Sequence, residues 1–161
     1  MPQRSRKHMW WAAAALAVLV AGVAGWWLFR PPAPYALWKT PAVKVTVLAV
    51  KSGTPEAKEV AEDTDLLVKV YVQRLYAGDA ADLARIGAPW YTGREQAAQE
   101  LITRYGRHAG EPVEVTVHDP VVPELATVEL RFGDGQRQTL HLSRDDDAWW
   151  LQLGDGDPEA P

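Results

Sequence analysis

The side chains of this 161-residue chain best suited to moving protons near neutral pH are its four histidines, His8, His108, His118 and His141. None of them has the His-x-x-x-His or His-Glu-x-x-His spacing that sets two imidazoles on one helix face, so no metal and no other cofactor is expected. His118 and His141 fall in segments of alternating polarity with Glu114 and Glu129 nearby, and an imidazole beside a carboxylate could serve as an acid/base pair. The competing expectation places both on the solvated side of their strands, opposite Val117, Leu140 and Leu142. Nucleophiles are few. Cysteine is absent, which removes disulfides, thiolate zinc sites and a cysteine nucleophile. Serine occurs only as Ser5, Ser52 and Ser143, without a Gly-x-Ser-x-Gly elbow.

Two acidic runs invite a ligand reading and fail it. Asp145-Asp146-Asp147 lacks the further ligands and the glycine of an EF-hand loop and fits a charged hairpin turn. Gly133-Asp134-Gly135 is followed by neither a helix nor a Lys-Ser/Thr pair, so it is a turn rather than a phosphate cradle. Tyr71, Trp90, Tyr91, Tyr105 and Trp150 are the candidates for lining a ligand pocket or an interface, against the alternative that they fill the core. Trp150 stands out because strand alternation turns it to the face opposite Trp149.

The elements that must position these residues are legible from periodicity. Thr54-Pro55-Glu56 has a capping hydroxyl, a proline for the first helical turn and acids near the positive end of the helix dipole. Val60, Thr64, Leu67, Tyr71 and Leu75 then recur at helical spacing, predicting a helix to about Tyr76 that Gly78-Asp79 ends. Asp79 caps a short second helix, Ala80 to about Ile86, closed by Gly87 and Pro89. Thr92-Gly93-Arg94-Glu95 has capping-box spacing and opens a third helix ending at Gly106 or Gly110. After Pro112 the period becomes two: Val113 to Val117, Ala126 to Phe132, Thr139 to Leu142 and Trp149 to Leu153 read as four strands. Val43, Val45 and Val47 alternate with Lys44 and Thr46 in one further extended segment. Helices followed by a meander predict an α+β domain in which about three helices pack on a curved antiparallel sheet of four or more strands.

The first 42 residues differ in kind. From Met9 to Phe29 there is no charge, a length that as a helix would span about 31 Å, near the thickness of a hydrocarbon core. Arg4, Arg6 and Lys7 precede it, and Trp10-Trp11 and Trp26-Trp27 bracket it, as indoles do at membrane boundaries. The expectation is a single-pass signal anchor with residues 1–8 cytoplasmic, a span over 9–29, a Pro-rich stalk over 30–42, an extracytoplasmic domain over 43–154 and an acidic tail over 155–161. A cleaved signal peptide with its site near Ala21 to Gly25 is the alternative. All 21 acids lie at or beyond Glu56, where ten Lys/Arg leave a balance of −11, while residues 1–55 carry seven Lys/Arg and no acid. An acidic outer domain repels phosphate, so nucleic acid is not an expected partner. Low Lys with high Ala, Arg and Asp usage hints at a GC-rich bacterial source.

Residues 71–84, Tyr-Val-Gln-Arg-Leu-Tyr-Ala-Gly-Asp-Ala-Ala-Asp-Leu-Ala, resemble the opening of nuclear-transport-factor-2-like domains, where a long helix bearing an aromatic ends at Gly-Asp and a short helix follows. The resemblance runs over residues 55–154 through the third helix and the strands to Asp147-Ala148-Trp149-Trp150-Leu151. Only Ala88 to Tyr91 is left for the short strand or hairpin such domains carry between the second and third helices. It implies a cone-like fold with a curved sheet around the long helix and a pocket at the open end. The superfamily includes isomerases and cyclases, and also noncatalytic extracytoplasmic domains of single-span bacterial membrane proteins. The expected function is therefore a membrane-anchored domain that binds a protein partner or small ligand at the envelope. The alternatives are a pocket isomerase or cyclase using a His or Asp, and a structural accessory subunit of an envelope or secretion complex.

Overall fold

The computed structural model describes residues 34–37, 43–49, 55–120 and 122–156. Its elements are β1 (Val45–Ala49), α1 (Pro55–Ala77), α2 (Ala80–Ala84), α3 (Arg94–Tyr105), β2 (Val113–Val117), β3 (Leu125–Phe132), β4 (Arg137–Asp145) and β5 (Ala148–Leu151), with one 3-10 turn at Gly106–His108. The strands form one curled five-stranded sheet in the order β1-β2-β3-β4-β5, a half-barrel with helices against it.

Two expectations about the fold class are corrected. The sheet is mixed rather than antiparallel: β2 to β5 form the expected meander, but β1 pairs parallel with β2, Val45 opposite Val113 and Ala49 opposite Val117. Parallel neighbours need a long crossover, and here all three helices lie between the two strands in the chain. The second correction concerns the transmembrane helix and the single-pass, signal-anchor topology built on it. Among the described residues no helix is long and apolar enough to cross a membrane. At 23 residues α1 has the length but carries eight charged side chains along it. The span over 9–29, the basic end before it and its tryptophans lie outside the described residues.

Helix α1 is the centre of the domain. Leu67, Val68, Val70, Tyr71, Val72, Gln73, Arg74 and Leu75 are all buried, so this stretch has almost no wet side. On the sheet, Val113, Val115, Val117, Ala126, Val128, Leu130, Phe132, Leu140, Leu142, Trp149 and Leu151 point toward it and are likewise buried. Several of the polar groups caught inside find partners. The Tyr71 hydroxyl donates to Gln138 Oε1 at 2.9 Å and accepts from its Nε2 at 2.6 Å, and Thr64 Oγ1 donates back to the Val60 carbonyl at 2.7 Å. Arg74 Nη1 donates to the Asp82 carbonyl at 2.9 Å, and its Nε stands 3.2 Å from the Asp82 carboxylate, tying the end of α1 to α2.

The turns follow their residue chemistry. Gly78, at φ 76, ends α1 in the left-handed region, and the Asp79 side chain accepts from the Asp82 amide to start α2. Helix α3 departs from the expected capping box: its cap is Gly93, without a side-chain bond, because Thr92 pairs instead with Asp155. That pairing needs Gly154, where a Cβ would lie 2.1 Å from the Thr92 carbonyl oxygen. Asp146 and Asp147 take φ 50 and 66, the left-handed pair of a tight hairpin between β4 and β5.

The Tyr71–Gln138 pair gives the fold a direct test. Tyr71→Phe leaves a buried amide without its hydroxyl partner and should lower unfolding stability by about 1–3 kcal/mol in urea titration. Adding Gln138→Leu to it should recover part of that loss, since the orphaned amide is then gone.

Candidate functional site

Strand alternation sends the histidines outward. His118 directly follows β2, and its amide donates to the Thr127 carbonyl at 3.0 Å; Thr127 in turn faces His141 across β3 and β4. The two imidazoles thus flank Thr127 in one row on the outer face, with His141 Nδ1 3.3 Å from Thr127 Oγ1. His118 Nε2 lies 3.8 Å from Glu129, which also faces Arg137 at 3.4 Å. This is an imidazole beside a carboxylate on the outer sheet face, with both side chains partly exposed to solvent. The remaining candidate in the domain, His108, sits in the 3-10 turn and bonds Asp134 of the β3–β4 turn, holding that carboxyl below its usual range together with the Gln136 amide. His108 also accepts from Arg107 Nε at 3.0 Å and tilts over Phe132. It is a tie between turns.

The aromatic candidates do not converge on one pocket. Tyr71 is enclosed against the sheet, and burial pushes its hydroxyl well above the usual phenol range. Tyr105 stacks on Phe132 at 6.1 Å between ring centres, and Trp90 meets Tyr91 edge-on in the connection between α2 and α3. Trp150 turns to the outer face, as alternation requires, while Trp149 turns inward. There Trp150 meets Tyr35 edge-on at 6.1 Å, and the Tyr35 hydroxyl donates to the Trp149 carbonyl at 2.9 Å. Residues assigned to the stalk therefore lie on the domain.

One open recess lies where α1 begins. It has about 400 Å³ and is bounded by the first turns of α1 (Glu56, Glu59, Val60, Asp63), the β2–β3 connection (Asp119, Pro120, Val122, Pro123) and Arg144 near the end of β4. Helical geometry explains the first group, because spacings of three and four put Glu56, Glu59 and Asp63 on one face. Arg144 crosses the mouth with its guanidinium 3.5 Å from Asp147 and 6.0 Å from the centre of the Trp149 ring. The recess thus offers an apolar floor, four carboxylates and one guanidinium. The carboxylate spacing was visible in the sequence, where it reads equally well as dipole compensation at a helix start. Nothing in the sequence brings Asp119 and Arg144 to that helix, because the β3–β4 register decides it. Among the described residues no group of three or more metal-ligating side chains is placed to hold an ion.

No protein-family model matches the chain, and no curated protein and no solved structure matches it.

Tyr35 supplies the pH test of this side of the domain. Burial pushes its hydroxyl up to about 12. A raised phenol contributes stability that is complete below the unfolded value of about 10 and is lost as pH rises through the folded one. Tyr35→Phe should lower stability by about 1 kcal/mol at neutral pH through loss of one hydrogen bond. The advantage of the wild type over that variant should then shrink between pH 10 and 12 in thermal unfolding.

Proposed function

We propose that the domain is a noncatalytic binding module acting at the cell envelope, and that the recess between α1 and the β2–β3 connection receives a basic side chain of a protein partner. The observation that carries this is the wall of the recess: Glu56, Glu59, Asp63 and Asp119 around the apolar floor of Val60, Pro120, Val122 and Pro123. A lysine or arginine stem fits such a floor while its charged head meets carboxylates at the rim. Arg144 opposes a second cation at one side and so favours a single basic group over a basic run.

A noncatalytic role is supported by the filled interior. The side chains between α1 and the sheet include Tyr71, Phe132, Leu67, Leu75, Leu130 and Leu142, all fully buried. The proton-transfer candidates His118 and His141 stand on the opposite face of the sheet from that interior. The plan of a long helix, a Gly-Asp turn, a short helix, a third helix and a four-strand meander supports kinship with nuclear-transport-factor-2-like domains, with β1 as an addition to that plan. The envelope assignment is supported by the charge division at Glu56, basic before and acidic after.

The test uses the full chain and a fluorescent peptide carrying one lysine between valines, with the lysine replaced by glutamate as control. Glu59→Lys with Asp63→Lys should weaken binding of the lysine peptide at least tenfold, about 1.4 kcal/mol, and Arg144→Ala should tighten it. Equal affinity for both peptides, or no effect of the double reversal, would overturn the assignment of the recess. Recovery of the chain in the cytosolic fraction of its host would overturn the envelope assignment.

A further inference from the structure

The two edges of the sheet are finished differently. At β5 the chain covers its own edge: Leu151 donates to the Ile86 carbonyl at 2.9 Å and accepts from the Ala88 amide at 2.8 Å, and Tyr35 takes the Trp149 carbonyl beside it. At β1 the register leaves alternate backbone groups directed away from the sheet. Val113 donates to the Lys44 carbonyl, which fixes Lys44, Thr46 and Leu48 as the residues bonded toward β2. Val45, Val47 and Ala49 therefore present their N–H and C=O groups to the other side. No described residue hydrogen-bonds to them there.

Exposed edges in natural sheets are blunted by charge, proline or a bulge. Val45-Thr46-Val47-Leu48-Ala49 has none of these: it carries no charge and no proline and pairs with β2 without interruption. Its side chains are only half-buried on the side facing α1, and Leu48 on the other side is 49% exposed. Beside its first residues runs a groove of about 220 Å³ lined by Leu37, Val43, Lys44, Val45, Lys69 and Gln73. Lys69 is already matched by Asp65 at 2.7 Å, which leaves Lys44, exposed at the groove, as the cation available to a ligand.

We propose that the free edge of β1 takes an extended segment of a partner protein as a sixth strand, held by the backbone of Val45, Val47 and Ala49 and selected for a carboxylate next to Lys44. Backbone bonds would supply the affinity, and alternate side chains the specificity. One face of the added strand meets the groove beside α1 and calls for aliphatic residues. The opposite face lies beside Thr46 and Leu48 and tolerates threonine or valine. An antiparallel strand places its carboxylate toward its C-terminal end, where it lies opposite Lys44. This surface shares no residue with the acidic recess and wants the opposite charge, so the two assignments stand or fall separately.

The probe is a labelled octapeptide, Ser-Val-Thr-Val-Thr-Val-Asp-Ser, whose aspartate shares the threonine face as Lys44 shares that of Thr46 and Leu48; it is titrated into the full chain by fluorescence anisotropy, with hydrogen exchange as the positional readout. Binding should protect the amides of Val45, Val47 and Ala49, while those of Thr46 and Leu48 are protected with or without peptide. Val47→Pro removes an N–H that faces away from β2 and so spares the ladder; it should weaken binding at least tenfold. N-methylation of alternate peptide residues should abolish binding while leaving the protein untouched, which keeps the test decisive if the proline variant folds poorly. Lys44→Glu should reverse the preference, so that the peptide with lysine in place of its aspartate binds better than the original. Failure of the octapeptide to bind, or binding without protection of the three amides, would overturn the proposal. Concentration-dependent dimerisation of the chain that protects those amides without peptide would assign the edge to a second copy and overturn it equally.

Discussion

The structure turns on a helix with almost no wet side. Between Leu67 and Leu75 every residue of α1 but Lys69 is buried, and a helix apolar around most of its circumference must be enclosed. A flat sheet covers one side of a cylinder, so enclosure demands curl. The five strands supply it on one side, and α2 and α3 pack on the rest of the core through Leu83 and Ala98. Full burial of each large apolar side chain on α1 contributes about 1.5–3 kcal/mol. Enclosing the helix therefore outweighs the loss of sheet planarity. The first turns of α1 escape this constraint. Glu56, Lys58, Glu59 and Glu62 are exposed there, and the acidic recess begins among them.

Enclosure also decides where chemistry can sit. A cone that keeps its interior open can hold a substrate against groups on its walls, but here the walls meet side chain to side chain. Three of the polar groups inside are committed to partners: Tyr71 to Gln138, Thr64 to its own helix, Arg74 to Asp82. A buried group that is already satisfied is held in place and loses the freedom to exchange a proton with a ligand. The titratable groups that remain accessible stand on the outer sheet face or at the rim.

What was legible in the sequence is what depends on neighbours along the chain. The α1 start at Pro55 and its end at Gly78 follow from proline and glycine stereochemistry, and the observed helix, Pro55–Ala77, agrees within a residue. Strand alternation placed His118 and His141 on the wet face and separated Trp150 from Trp149. What was not legible depends on pairing at a distance. Nothing in Val45 to Ala49 states that its neighbour is β2 and runs parallel to it, because period two is common to both kinds of ladder. Gln138 reads as a polar residue in a strand, yet it is 4% exposed because the β3–β4 register sets it opposite Leu130 and under Tyr71. Thr92 has the right type and spacing for a cap, but Asp155 competes for it from the far end of the chain and wins.

The sheet is a half-barrel whose five strands curl only partway around the helix. It must therefore keep two edges, and the chain has treated them unequally. Covering β5 required Tyr35 from before β1 and Ile86 to Ala88 from after α2, two separate stretches brought to one strand. Those same stretches are unavailable to β1, which lies at the other end of the strand order. Parallel addition sharpens the asymmetry. In the strand order β1 extends a meander that is already complete, and its removal would expose β2 with Val113, Val115 and Val117, all buried. Strand β1 is thus itself an edge cover, made of chain that the meander did not need. The open ladder it leaves is a consequence of covering the one beneath: adding a strand to a sheet moves an edge outward and never removes it.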